Sequence, residues 1–121
     1  MAIKRYTATK DNTITNSYKS DLATRATGSN MGAADILEVF SIYGQQTTSS
    51  AELSRVLVQF PIDTISSDRS DGTIPASGSV NFYLRVFNAR HSEQLPKDFT
   101  FNVLAVSSSW EEGSGLDMES Y

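Results

Sequence analysis

The sequence contains no cysteine, which excludes disulfides and thiolate metal sites and leaves the redox compartment open. Histidine occurs once, so a triad, a zinc site or an imidazole base would have to be built on His91 alone. No apolar run approaches the ~20 residues that span a bilayer. The opening MAIKRYTATK has basic residues but no apolar stretch behind them, so it does not read as a secretory signal. Positive charge is scarce as well: 10 Lys and Arg stand against 14 Asp and Glu, a net charge of −4, which argues against a nucleic-acid partner because phosphate binding needs a basic footprint. Lys and Glu are few, and Ser and Thr make up about a quarter of the 121 residues, a composition that disfavours long helices and suits strands and turns. At this length one domain with its own core is expected over residues 1–121.

What is present is β patterning. In Leu53–Pro61, LSRVLVQFP, residues Val56, Val58 and Phe60 fall on one face of an extended segment and Arg55, Leu57 and Gln59 on the other. This reads as the central strand, with the first face dry and Pro61 ending the run because it has no N–H for a ladder. Further strands are expected at Ile3–Thr9, at Thr13–Thr15, at Asp35–Tyr43, at Ser79–Ala89 and at Phe99–Val106. Lys10-Asp11-Asn12 reads as a turn between the first two, since Asp and Asn side chains bond nearby backbone. Ile62 and Ile65, three apart, suit a single helical turn at the sheet edge. Residues 16–34 are polar and small, with little to bury, and read as a long surface loop or an arm that gains order only against a neighbour. Polar loops are expected at Gly44–Ala51 and Arg90–Asp98, and an acidic, Gly-rich tail over Glu111–Tyr121. Short strands separated by long polar loops imply an all-β antiparallel two-sheet sandwich of jelly-roll or Greek-key topology, with short helical turns at most.

Catalytic and metal chemistry find little support. His91 lies in a polar connection and reads as a solvated loop residue, and no G-x-S-x-G elbow accompanies it. Asp68-Arg69-Ser70-Asp71-Gly72 has the outline of half a calcium loop, but Arg69 and Ser70 break the pattern and no distal Glu follows, so a turn ending at Gly72 is the better reading. Glu111, Glu112, Asp117 and Glu119 read as solvated charge rather than as cation ligands. No enzyme, cofactor or metal is therefore expected. Tyr43, Tyr83, Phe87 and Trp110 are of the type that stacks on sugar rings, and alternation puts Tyr83 and Phe87 on one face, opposite the expected core face. Packing within the sheet or under a neighbouring chain is the plainer reading of the same aromatics. Tyr43, Tyr83 and Phe87 are the apolar anchors expected at such an interface, and Arg25, Arg85 and Arg90 the polar ones.

The order of segments carries a resemblance. Ala8-Thr9-Lys10-Asp11-Asn12-Thr13-Ile14 opens the chain; Asn30-Met31-Gly32, Asp35-Ile36-Leu37-Glu38-Val39 and Ser54-Arg55-Val56-Leu57-Val58-Gln59-Phe60 follow; Trp110-Glu111-Glu112-Gly113 and Gly115-Leu116-Asp117 close it. This resembles the DNRLRE-type jelly-roll domains, in particular the version found in structural proteins of tailed bacteriophages, marine and cyanobacterial ones among them. The resemblance implies a double-sheet jelly roll in the virion, as capsid decoration, tail or fibre component, assembled in the host cytoplasm. The implied partners are other virion proteins, with the chain a homo-oligomer or present in many copies, and no membrane. Related bacterial domains imply the alternative, a carbohydrate-binding module that takes a surface glycan. Those bacterial versions carry export signals, which are absent here. The family pattern also runs on after its Trp-Glu-Gly segment, so the chain is expected either to continue into a longer protein or to have its sheet completed by a neighbour.

Overall fold

A computed structural model of the chain describes residues 3–43, 51–92 and 98–118, with only the backbone described at Tyr43 and Ala51. The expected loop over 44–50, part of the 90–98 connection and the end of the acidic tail lie outside these residues. The chain forms two compact units, Met1–Asn81 with Glu112–Tyr121, and Phe82–Glu111.

The first unit carries the regular structure. Strands β1 (Lys10–Thr15), β2 (Ser41–Tyr43) and β3 (Ala51–Gln59) are followed by one helix, α1 (Ile62–Ser70). They form an antiparallel sheet in the order β1-β3-β2, which agrees with the all-β reading and with LSRVLVQFP as the central strand. β3 pairs with β1 from Lys10↔Gln59 to Thr15↔Ser54 and with β2 from Ser41↔Leu53 to Tyr43↔Ala51. The chain then turns at Pro61 and enters α1, which runs longer than the single turn expected and buries none of its residues.

The structure moves the first strand. Residues 3–9 form no ladder, and the strand covers Lys10–Thr15, taking in the triplet read as a turn. The reason lies in the partner. The Thr9 N–H donates to the Gln59 carbonyl at 2.7 Å, and beyond Gln59 the partner chain leaves the sheet for Pro61 and α1. Nothing is left for residues 3–8 to pair with. Asn12 does bond backbone, as turn chemistry requires, but the backbone it finds is distant in sequence.

The dry face is also smaller than the alternation of β3 implied. Val56 and Phe60 are half-buried, and Val58 is 37% exposed. Arg55 and Gln59 are exposed as expected, while Leu57 on their face is half-buried. Full burial falls instead on β1, at Asn12 and Thr13, and on Ala26, Ser29, Met31 and Ile74. Thr13 has no exposed surface; its Oγ1 accepts from the Glu38 N–H at 3.0 Å and its carbonyl from the Met31 N–H at 3.1 Å. Among the described residues no buried side-chain polar atom lacks a partner, which is what makes so polar an interior tolerable.

The loop over 16–34 is packed, and this corrects its reading as an arm unable to bury itself. Lys19 N donates to the Thr24 carbonyl and Ala26 N to the Ser17 carbonyl, closing the segment on itself around the Tyr18↔Arg25 bridge. At the tip Asp21 accepts from the Ala23 and Thr24 N–H groups and the Thr24 hydroxyl, with Leu22 in the left-handed region at φ 54°. Farther on, Asn30 bridges to Ile14 beside β1.

The strands expected at Asp35–Tyr43, Ser79–Ala89 and Phe99–Val106 are corrected in different degrees. Only Ser41–Tyr43 of the first enters the sheet, although Phe40 exchanges bonds with Ser54 just before it. Neither of the other two forms a ladder among the described residues, and apart from the half-buried Val80 and Ala89 both are exposed.

Candidate interaction surface

Two kinds of site emerge, one closed and polar, the other open and apolar. The closed one gathers residues from the ends and the middle of the sequence. The Asn12 side chain donates through Nδ2 to the Glu112 carbonyl at 2.6 Å, and its Oδ1 accepts from the Met31 N–H at 3.0 Å. The Glu112 carboxylate accepts the Asp11 N–H at 2.9 Å. Asn30 Oδ1 accepts from the N–H groups of Gly32 at 3.2 Å and Gly115 at 2.9 Å, and the Gly115 carbonyl accepts from Ala33. Ser29 Oγ donates to the Met118 carbonyl.

This knot needs glycine. A methyl on Gly32 would fall on the Glu112 carbonyl, and one on Gly113, already at φ 80°, on the Asn30 amide. So the segment 112–118 is docked along β1 rather than trailing as solvated charge. Asp11-Asn12, Asn30-Met31-Gly32, Glu112-Gly113 and Gly115, drawn from separate motifs in the sequence, meet here. They hold backbone to backbone through the Asn12 and Asn30 amides and the Glu112 carboxylate.

The other polar clusters are also self-satisfied. Asp68 lies on α1, not in a loop, and its Oδ2 accepts from the Tyr6 hydroxyl at 2.6 Å and pairs with Lys4 Nζ at 3.1 Å. The hydrogen bond from Tyr6 and the one from Lys4 lower the Asp68 pKa, while the same bond to Asp68 raises the Tyr6 phenol to about 12. The calcium outline over Asp68–Gly72 is thus a helix end with its first carboxylate engaged. At the tip of the 16–34 loop, bonds from the Thr24 and Ala23 N–H groups and the Thr24 hydroxyl bring Asp21 down to about 2. His91 Nε2 lies 3.2 Å from Asn88 Nδ2 in an exposed setting. Among the described residues no three His, Asp or Glu side chains gather as a metal set, and no helix is long and apolar enough to cross a membrane.

The six residues marked for an interface separate by unit. Arg25 sits in the first: its guanidinium lies 3.8 Å from the Tyr18 ring centroid and donates to the Asn16 carbonyl. With Thr15, Asn16, Ala26 and Thr27 it lines an open cleft of about 330 Å3. Tyr43 closes β2 opposite Ala51, and its side chain is outside the described residues. Tyr83, Arg85, Phe87 and Arg90 all belong to the second unit and are all exposed, Tyr83 by 86% and Phe87 by 89%. The sequence reading named only half of this surface. Exposure extends to the face read as core, at Phe82, Leu84 and Val86, and through the whole of 99–106, where Leu104 is 81% exposed. The Phe99 and Phe101 rings meet edge to face at 4.9 Å. The missing signal was the absence of charge: FTFNVLAV at 99–106 has none, and a solvated segment would carry some.

No family model matches the chain, and no curated protein or solved structure matches it either.

Proposed function

We propose that the chain is a non-enzymatic structural protein of a tailed-bacteriophage virion, a capsid decoration, tail or fibre component that acts through protein–protein contacts. In this reading its β structure is completed to a two-sheet jelly roll on assembly. The observation that carries it is the surface of residues 82–92 and 98–106, where large apolar side chains at both odd and even positions stand in water. Large apolar side chains exposed in this number are characteristic of a surface that binds other protein. The resemblance to DNRLRE-type domains supplies the virion setting. The meeting of its motif residues around Asn12 and Asn30 supports treating those motifs as one structural signature. The test is to locate the chain in intact particles by electron microscopy and by co-purification with capsid or tail. Density or co-purification at a repeated position is the expected result; its absence from purified particles would remove the proposal.

A second reading, a carbohydrate-binding module, is favoured by one feature, the exposed rings of Tyr83 and Phe87. It predicts glycan affinity that is lost in Tyr83→Ala. A glycan array without hits decides against it.

A further inference from the structure

We propose that the Arg85–Val86 and Arg90–His91 peptide bonds are a processing site for an arginine-specific endoprotease, and that the cut chain stays together because residues 112–118 are docked on the first unit. The proposal stands apart from the virion reading. An endoprotease draws several residues on each side of the scissile bond into its cleft as extended chain, so it needs backbone that no ladder or helix holds. The arginines of the first unit lack that setting. Arg55 pairs with Ile14 in the β1–β3 ladder, and Arg69 lies in α1. Arg25 bridges to Tyr18 and donates to the Asn16 carbonyl. Arg5 stands between Lys4 and Tyr6, which both bond Asp68. Arg85 and Arg90 differ. Both are exposed, and no backbone hydrogen bond ties residues 82–92 among the described residues. The contact between the Asn88 and His91 side chains involves neither arginine. No proline follows either one, so each scissile bond keeps its N–H.

The chemistry is hydrolysis. Water adds to the carbonyl carbon of Arg85 or Arg90, the C–N bond breaks, and the nitrogen of Val86 or His91 leaves with a proton. One new carboxylate and one new amine result. The C-terminal piece is not released, because it carries its own anchor. Glu112 accepts the Asp11 N–H through its carboxylate and the Asn12 amide through its carbonyl. Gly115 donates to Asn30 Oδ1 and accepts from the Ala33 N–H. The Met118 carbonyl accepts from Ser29 Oγ. None of these bonds involves residues 82–111. In the intact chain this docking is intramolecular; after the cut it joins two fragments and follows mass action. Processing therefore turns residues 112–118 from a fixed part of the first unit into an exchangeable one.

The experiment treats the whole chain with a trace of an arginine-specific endoprotease and reads the products by mass spectrometry. Cuts after Arg85 and Arg90 should be at least about tenfold faster than any after Arg5, Arg25, Arg55 or Arg69. Arg85→Gln combined with Arg90→Gln should abolish them. The two fragments should co-elute in native size-exclusion chromatography and part in denaturant. The Asp11, Ala33 and Gly115 amides should exchange as slowly in the cut protein as in the intact one. Gly115→Ala, which drives a methyl onto the Asn30 carbonyl, should let the cut fragments separate. First cleavage at an arginine of the first unit, or resistance of the whole chain, overturns the processing site. Wild-type fragments that part under native conditions, or that stay together while those three amides exchange freely, overturn the role of residues 112–118, as do Gly115→Ala fragments that stay together.

Discussion

Residues 82–106 hold the cleanest apolar alternation in the sequence and form no ladder among the described residues; β1, KDNTIT, holds almost none and forms a six-residue one. The difference is in the partners. β1 has β3 on one side, and on the other the Asn30–Met31 segment, whose Met31 N–H donates to the Thr13 carbonyl and Asn12 Oδ1, and Glu112, whose carboxylate accepts the Asp11 N–H. The second unit has apolar side chains in the right order, but among the described residues no backbone hydrogen bond joins its segments to a neighbouring strand. Alternation states which way side chains would point in a strand. It does not create the second strand that the first requires. The comparison also separates two conditions of a small protein: the first unit is fixed by directed bonds from a few side chains, while the second leaves its large apolar side chains exposed.

The contrast would break most sharply at the knot. Gly32→Ala places a methyl on the Glu112 carbonyl, a backbone atom that cannot swing away, and should cost about 3 kcal/mol in urea unfolding. Next is Asn12→Ala, which leaves the Glu112 carbonyl and the Met31 N–H without their side-chain partner at a buried position; about 2 kcal/mol is expected. Hydrogen exchange should show the loss concentrated in residues 11–13, 30–33 and 112–118. If both variants unfold at the wild-type midpoint, polar bonding is not what fixes the first unit.

Phe60→Ala sharpens the comparison from the other side. A fully buried phenylalanine would cost about 3–5 kcal/mol on truncation. Because Phe60 is half-buried, about 1–2 kcal/mol is expected instead, less than for Asn12→Ala. The reverse order would restore the apolar face of β3 as the main support.

The smallest effects are those of pH. Tyr6, raised to about 12 by its bond to Asp68, keeps its proton better folded than unfolded. That contribution is whole below the unfolded tyrosine value near 10 and is lost as pH rises from there through 12. Asp21 has the opposite sign: its support is whole above the unfolded aspartate value near 4 and is lost as pH falls through about 2. Both groups are solvent-accessible, so small changes are expected, read as the Tyr6 ring and Thr24 amide resonances during titration. Tyr6→Phe should flatten the alkaline limb and, by removing the bond that lowers Asp68, weaken the acidic one as well, while the Asp21 step reported by the Thr24 amide stays.

From the sequence by itself came the β class, the central place of LSRVLVQFP with its stop at Pro61, the helical turn after it, and the exposure of Tyr83 and Phe87. These are local matters: side-chain shape, period two and the missing proline N–H act within a few residues. Tertiary structure alone decided that the triplet read as a turn is a strand, that Asn12 and Asn30 are keystones, that residues 16–34 and 112–118 are packed, and that the segments at 79–89 and 99–106 stand without ladders. Each of these depends on which distant backbone lies opposite. A hydrogen bond needs both of its ends in place, and a single stretch of sequence specifies only one.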